Sequence, residues 1–120
     1  MIESALICLA LNIYHESRGE PVRGQLAVAL VTLNRAKWMQ HRVCTEVYRA
    51  KQFSWTNYPP QVIQDQKAFK QALAIAKAAS QIPDFTQGAT HFHRQDIKPY
   101  WSTSYQPVEQ IGNHIFYRKG

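Results

Sequence analysis

Residues 14–21 read Tyr14-His-Glu-Ser-Arg-Gly-Glu-Pro21, and the chain turns a corner inside them. Upstream, Leu6, Leu9 and Ile13 recur at the spacing of one helix face, and Glu16 takes the next place on that face. Gly19 adopts a left-handed conformation easily and stops a helix, whereas Pro21 favours the start of a new one. Val22, Leu26, Ala29, Leu30 and Leu33 then mark a second helix running to about Trp38. The spacing therefore predicts a helical hairpin from Glu3 to Trp38, with Ser17 to Glu20 at its corner.

Working outward, Thr45 to Ala50 suits a short turn of helix. Gln52 to Pro60 is an aromatic, hydroxyl-rich loop broken by two prolines. Asp65 to Ser80 carries Phe69, Leu73 and Ala76 on one stripe and stops before Pro83, which predicts a third long helix. Beyond Gly88, Ala89 to Arg94 and His114 to Arg118 alternate and are aromatic-rich, as strands are. The expected fold class is α+β, mainly helical, with a small antiparallel β-hairpin packed on one side. The 120 residues suit one domain, residues 1–120, able to bury roughly two-thirds of the unfolded surface.

A formal charge of +6 and a pI near 9.6 point to an anionic partner: nucleic acid, a membrane surface or a cell envelope. The basic residues are spread along the chain, so a solvated basic surface also explains them. Cys8 and Cys44 lack metal-site spacing and read as buried thiols, with a disulfide left open. The stretch from Met1 to Ser17 has Glu3 and no basic residue ahead of an apolar run that Asn12 ends early. That is a poor signal peptide and too short to span a bilayer, so the expectation is a chain made and folded in the cytoplasm, with no stable membrane insertion.

A carboxylate on an apolar face loses hydration, its pKa rises, and it keeps a proton near neutral pH. Glu16 therefore fits a general acid acting on a glycosidic oxygen; it also fits a corner residue paired with Arg18 or Arg23. Glu20 precedes Pro21 at the expected N-cap of the second helix, where backbone N–H groups hold a carboxylate ionised and give it a structural role. His91, His93 and Asp96 form H-x-H-x-x-D, with both histidines on one face of a strand. They suit either metal ligation or the polar wall of a groove beside Thr90. Tyr100 and Trp101, with Trp55, Tyr58 and Tyr105, lie in loops where they either stack on sugar rings or close the core. Gln52 and Ser54 add groups able to bond hydroxyls and acetamides.

Four blocks in order carry a family resemblance. They are Tyr14 to Arg35 (YHESRGEPVRGQLAVALVTLNR), Gln52-Phe-Ser54, Gly88 to His93 (GATHFH) and Ile111 to Tyr117 (IGNHIFY). They resemble the SleB-like cell wall hydrolases, a family of spore cortex-lytic enzymes and phage endolysins, over essentially the whole chain. The resemblance implies a fold like that of lysozyme and lytic transglycosylases. It implies Glu16 as the catalytic acid, Glu20 as a structural residue at the site, and Gln52, Ser54, Thr90, His91 and His93 along the cleft. Ser17 stands where alanine is common in the family, and the Glu-Ser pair implies contact with the carboxyl or the sugar.

The chemistry implied is cleavage of the β-1,4 bond between N-acetylmuramic acid and N-acetylglucosamine by a single glutamate, without cofactor or metal. The implied partners are peptidoglycan glycan strands and the anionic envelope rather than nucleic acid, met by a monomer. The implied setting is an endolysin held in the cytoplasm until released to the cell wall. The alternatives are a muramidase-type hydrolase using Asp96 as second carboxylate, a metal-dependent amidase or peptidase using His91, His93 and Asp96, and a non-catalytic basic binding module.

Overall fold

The computed structural model describes residues 1–49, 53–57 and 63–119, without the side chains of Ser54 and Asn57. Four helices form the larger part: α1 (Glu3–Ser17), α2 (Val22–Arg35), α3 (Gln40–Val47) and α4 (Gln66–Ala79). Three antiparallel strands form the rest: β1 (His91–Arg94), β2 (Gln106–Ile111) and β3 (His114–Arg118), in the order β1-β3-β2. Two short 3-10 turns, Ser54–Asn57 and Tyr100–Thr103, stand between α3 and α4 and between β1 and β2.

The helix α2 is the centre of the molecule because its apolar residues run all the way round it. Ala29, Leu33 and Ala36 pack with Leu9, Ile13 and Tyr14 of α1, Val43 and Val47 of α3, and Ala72, Ile75 and Ala76 of α4. Ala27, Val28 and Val31 pack on the other side with Ala89, Ile111 and Phe116 of the sheet region. Each buried Leu or Ile contributes about 1.5–3 kcal/mol, so these two layers fix where α1 ends relative to the sheet.

The expected helical hairpin is present, with Gly19 at φ 86° in its corner. Its second helix ends at Arg35, three residues before the expected Trp38, because Lys37 and Trp38 take left-handed conformations. The short helix forms at 40–47, five residues ahead of its expected start. The strand pairing of 91–94 with 114–118 is as expected, His93 lying opposite Ile115. The sheet has one strand more than the expected hairpin: β2 was illegible because Pro107 and the register shift between Pro107 and Glu109 break its alternation. The tight turn joining β2 to β3 is Gly112-Asn113, with Gly112 at φ 56°.

The reading of Cys8 and Cys44 as buried thiols is corrected: they form a disulfide, Cα to Cα 5.3 Å, which ties α1 to α3. No helix among the described residues is long and apolar enough to cross a membrane.

Candidate active site

Glu16 lies in the last turn of α1, one turn beyond Asn12 on the same face. Asn12 is fully buried and anchors that face in both directions. Its Nδ2 donates to Thr32 Oγ1 of α2 at 3.1 Å, and its Oδ1 accepts from Trp55 Nε1 at 2.9 Å. Thr32 in turn donates to the Val28 carbonyl at 3.0 Å. Trp55 also stacks on His15, ring centroids 4.5 Å apart. The end of α1 is thus walled by α2 on one side and by the first 3-10 turn on another.

Within that wall burial pushes the Glu16 carboxyl up to about 7. The charged groups next to it in the chain are turned elsewhere, since His15 lies on Trp55 and the Arg18 guanidinium lies 4.4 Å over the Tyr14 ring. Among the described residues Glu16 has no hydrogen bond or ion pair, so the pairing with Arg18 or Arg23 considered from sequence does not form; Arg23 instead pairs with Glu109 of β2. A carboxyl that is largely desolvated, without a partner among the described residues and half-protonated near neutrality is suited to proton donation.

Ser17 is buried, but its hydroxyl donates back to the Ile13 carbonyl at 2.7 Å, so it closes its own helix rather than orienting Glu16. Glu20 is ionised for a different reason from the one expected. Pro21, not Glu20, occupies the N-cap of α2, with no side-chain cap. The Glu20 carboxylate instead accepts from the Asn113 backbone N–H at 2.8 Å and from Asn113 Nδ2 at 2.9 Å. Burial alone would raise its pKa; the two Asn113 bonds, with His114 and Arg94, lower it overall.

Of the other residues picked out from sequence, Gln52 and the Ser54 side chain lie outside the described residues. His91, His93 and Trp101 are brought together on the sheet face opposite Phe92, and Thr90 joins them from just ahead of β1. The Thr90 hydroxyl meets His91 Nδ1 at 2.9 Å. His93 bonds the Arg94 carbonyl through Nδ1 at 2.7 Å and the Tyr117 hydroxyl through Nε2 at 2.9 Å. The Trp101 ring stands 5.0 Å from His91, 5.7 Å from His93 and 5.2 Å from Tyr117. Burial, then Arg35 and Lys119, push His91 down to about 4, so it is neutral at physiological pH. Trp101 is engaged in packing, whereas Tyr100 beside it is 92% exposed and its ring is open to a ligand.

The histidines do not meet Asp96, which pairs with Arg94 at 3.3 Å on the exposed turn after β1. Among the described residues no three His, Cys, Asp or Glu side chains converge. A cavity of about 250 Å³ lies at the opposite end of α1, between Met1, Leu33, Trp38 and Gln81, away from Glu16.

Sequence reasoning gave no site role to Asn12, Asn113 or His114. Asn12 had a signal, a polar residue on the buried stripe one turn before Glu16; Asn113 and His114 lie in the Ile111 to Tyr117 block, but nothing local tied them to Glu20, which the fold brings to Asn113 across 93 residues.

A bundle of four helices with a small three-stranded sheet docked on it, and the Glu16 carboxyl at the end of a core helix, is a lysozyme-like architecture. The chain belongs to the cell wall hydrolase family, whose model matches residues 19–117, and it is a peptidoglycan-degrading enzyme. Glu16 falls just ahead of the matched stretch. Two solved structures extend the likeness over nearly the full chain. The catalytic domain of the germination-specific lytic transglycosylase SleB from Bacillus anthracis is 26% identical, with a TM-score of 0.78 over 98% of this chain and 97% of that one. The catalytic domain of the Bacillus cereus SleB protein is 27% identical, with a TM-score of 0.74 over 98% of this chain and 93% of that one. No curated protein sequence matches this chain.

Proposed function

We propose that the enzyme is a lytic transglycosylase in which Glu16 is both acid and base. The observation that carries this reading is a largely desolvated Glu16 carboxyl, without a hydrogen-bond or ion-pair partner among the described residues, whose pKa of about 7 keeps about half of it protonated near neutral pH. The likeness to a domain named as a lytic transglycosylase supports the same chemistry.

Glu16 gives its proton to the oxygen linking N-acetylmuramic acid to N-acetylglucosamine as positive charge develops at the muramic C1. The muramic C6 hydroxyl then attacks C1 and passes its proton to the Glu16 carboxylate. A 1,6-anhydro ring closes, no water is consumed, and the acid is regenerated. A muramidase would need a second carboxylate, and the pairing of Asp96 with Arg94 on an exposed turn gives no support to that role.

The endolysin setting belongs to the same reading: the chain waits in the cytoplasm and works in the cell wall. The α1–α3 disulfide favours an oxidising place of work, and the +6 charge favours an anionic envelope.

The test is digestion of purified sacculi by the wild type and by Glu16→Gln, with the soluble muropeptides identified by mass spectrometry. The expected products end in 1,6-anhydromuramic acid, one water lighter than reducing ends, and disappear with the variant. Reducing ends would make the enzyme a hydrolase, and free stem peptides would sink the glycosidase reading.

A further inference from the structure

The contact between the α1–α2 corner and the β2–β3 turn is tighter than packing alone requires. Both Glu20 carboxylate oxygens are taken by Asn113, one by its backbone N–H and one by its side chain. Asn113 is itself the end of a chain of amides: Gln110 of β2 donates to Gln95 at 2.7 Å, and Gln95 donates to Asn113 Oδ1 at 3.0 Å. The Gln95 backbone N–H adds a bond to the Asn113 carbonyl at 2.8 Å. Strand β2, the residue after β1 and the β2–β3 turn therefore converge on one carboxylate, and each donor polarises the next. Gly112 leaves no room for error, because a Cβ there would stand 2.5 Å from Glu20 Oε1 and 2.9 Å from Pro21 Cδ. His114 follows, 3% exposed, with its Nδ1 unpartnered and 3.6 Å from Glu20 Oε1.

We propose that Glu20 is a positioning residue for Glu16: through Asn113 it ties the helical corner to the β2–β3 turn and holds the sheet against the end of α1. The inference rests on Glu16 being the acid. The corner begins at Ser17, the residue after Glu16, so the tie acts within one turn of the carboxyl. The sheet it holds carries Phe92, which packs on Phe116 of β3 and, at 6.3 Å, on Phe53 at the start of the first 3-10 turn. That turn carries Trp55, whose bond to Asn12 walls the face on which Glu16 lies. Releasing the corner loosens this wall and lets more water reach the Glu16 carboxyl.

The charged and titratable groups facing Glu20 are His114 of β3 and Arg94 of β1; Arg23 of α2 is held by Glu109 of β2. Those beside Glu16 are His15 and Arg18 of its own helix, and burial alone accounts for its raised pKa.

The experiment follows the Glu16 side-chain carboxyl by carbon-13 NMR through a pH titration, alongside kcat and KM on sacculi across pH. The proteins are the wild type, Glu20→Gln and Asn113→Ala, each checked for folding by circular dichroism. Asn113→Ala keeps the Glu20 charge in place, so any movement it causes comes from the tie and not from a lost charge. The expected result is a Glu16 titration lowered by about one pH unit in both variants. The alkaline limb of kcat moves down with it, kcat at pH 7 falls roughly fivefold as the protonated fraction drops, and KM changes less. Should Glu20→Gln fail to fold, Asn113→Ala decides the question alone. A folded Asn113→Ala whose Glu16 carboxyl and alkaline limb stay at wild-type values overturns the proposal. The NMR titration does not depend on the reaction. Wild-type digests without anhydro ends would therefore sink the transglycosylase reading, while an unmoved carboxyl would sink the tie.

Discussion

The carboxyl of Glu16 costs the fold something at every pH where it is charged. Its pKa is raised by burial to about 7 from an ordinary 4.5, so between those values the folded state holds a proton the unfolded chain has lost. Stability is therefore full below 4.5 and falls as pH rises through 7. Glu16→Gln mimics the protonated form, and we expect it to gain on the order of 2–3 kcal/mol over wild type at pH 8 and nothing at pH 4, read by urea unfolding at both. Activity should follow the same titration, with the wild-type rate falling as pH rises past about 7 because the donor is then deprotonated. This much was legible in the sequence, because a glutamate on an apolar helical stripe is a local pattern. What Glu20 bonds was not legible, since its acceptor role depends on a turn placed by the whole fold. The aromatic pair after Pro99 divides in the same way. Its residue types were visible, but only packing separates exposed Tyr100 from Trp101 among four rings. Tyr100→Ala should leave the melting temperature unchanged and raise KM on sacculi, whereas Trp101→Ala should cost about 2 kcal/mol or more by thermal unfolding.

Among the elements, the long helices were readable from periodicity and the sheet only in part. Helices α1 and α4 keep a clean apolar stripe, and their observed bounds fall within a residue or so of expectation. The end of α2 was misplaced because Trp38 extends the apolar pattern while its backbone has already turned left-handed. Strand β2 carries a proline and a bulge, both of which erase a period of two. The disulfide had no sequence signal beyond two cysteines; the docking of α3 on α1 brings them together. It closes a loop of 36 residues, for which the chain-entropy relation gives about 4 kcal/mol of stabilisation. Reduction should lower the free energy of unfolding by roughly that amount, seen as an earlier urea midpoint with dithiothreitol than without. An unchanged midpoint in a protein shown by mass to be reduced would mean that α3 docks on α1 without the covalent tie.

Across the whole molecule, the excess of fourteen basic over eight acidic residues is not smoothed out evenly. Helix α4 contains no acidic residue and presents Lys67, Lys70 and Lys77 on its exposed side, spaced so that they share one face. Its N-cap is Asp65, whose backbone N–H bonds the Tyr14 hydroxyl at 3.1 Å, so the lysine-bearing face begins beside the turn of α1 that carries Glu16. An anionic wall meeting this face is drawn toward the end of the molecule that carries Glu16, the proposed acid. Charges on an open surface are screened over about 10 Å at 0.1 M salt, and over about 3 Å at 1 M. Solubilisation of sacculi should therefore slow as salt rises from 0.05 to 0.5 M, roughly tenfold or more if the three lysines act together. Lys67→Glu with Lys70→Glu should lower the rate at low salt and flatten its dependence on salt, while the melting temperature and the pH limb set by Glu16 stay where they are. A wild-type rate that is flat across that range would remove the electrostatic contribution and leave recognition to the short-range contacts around Glu16 and Tyr100.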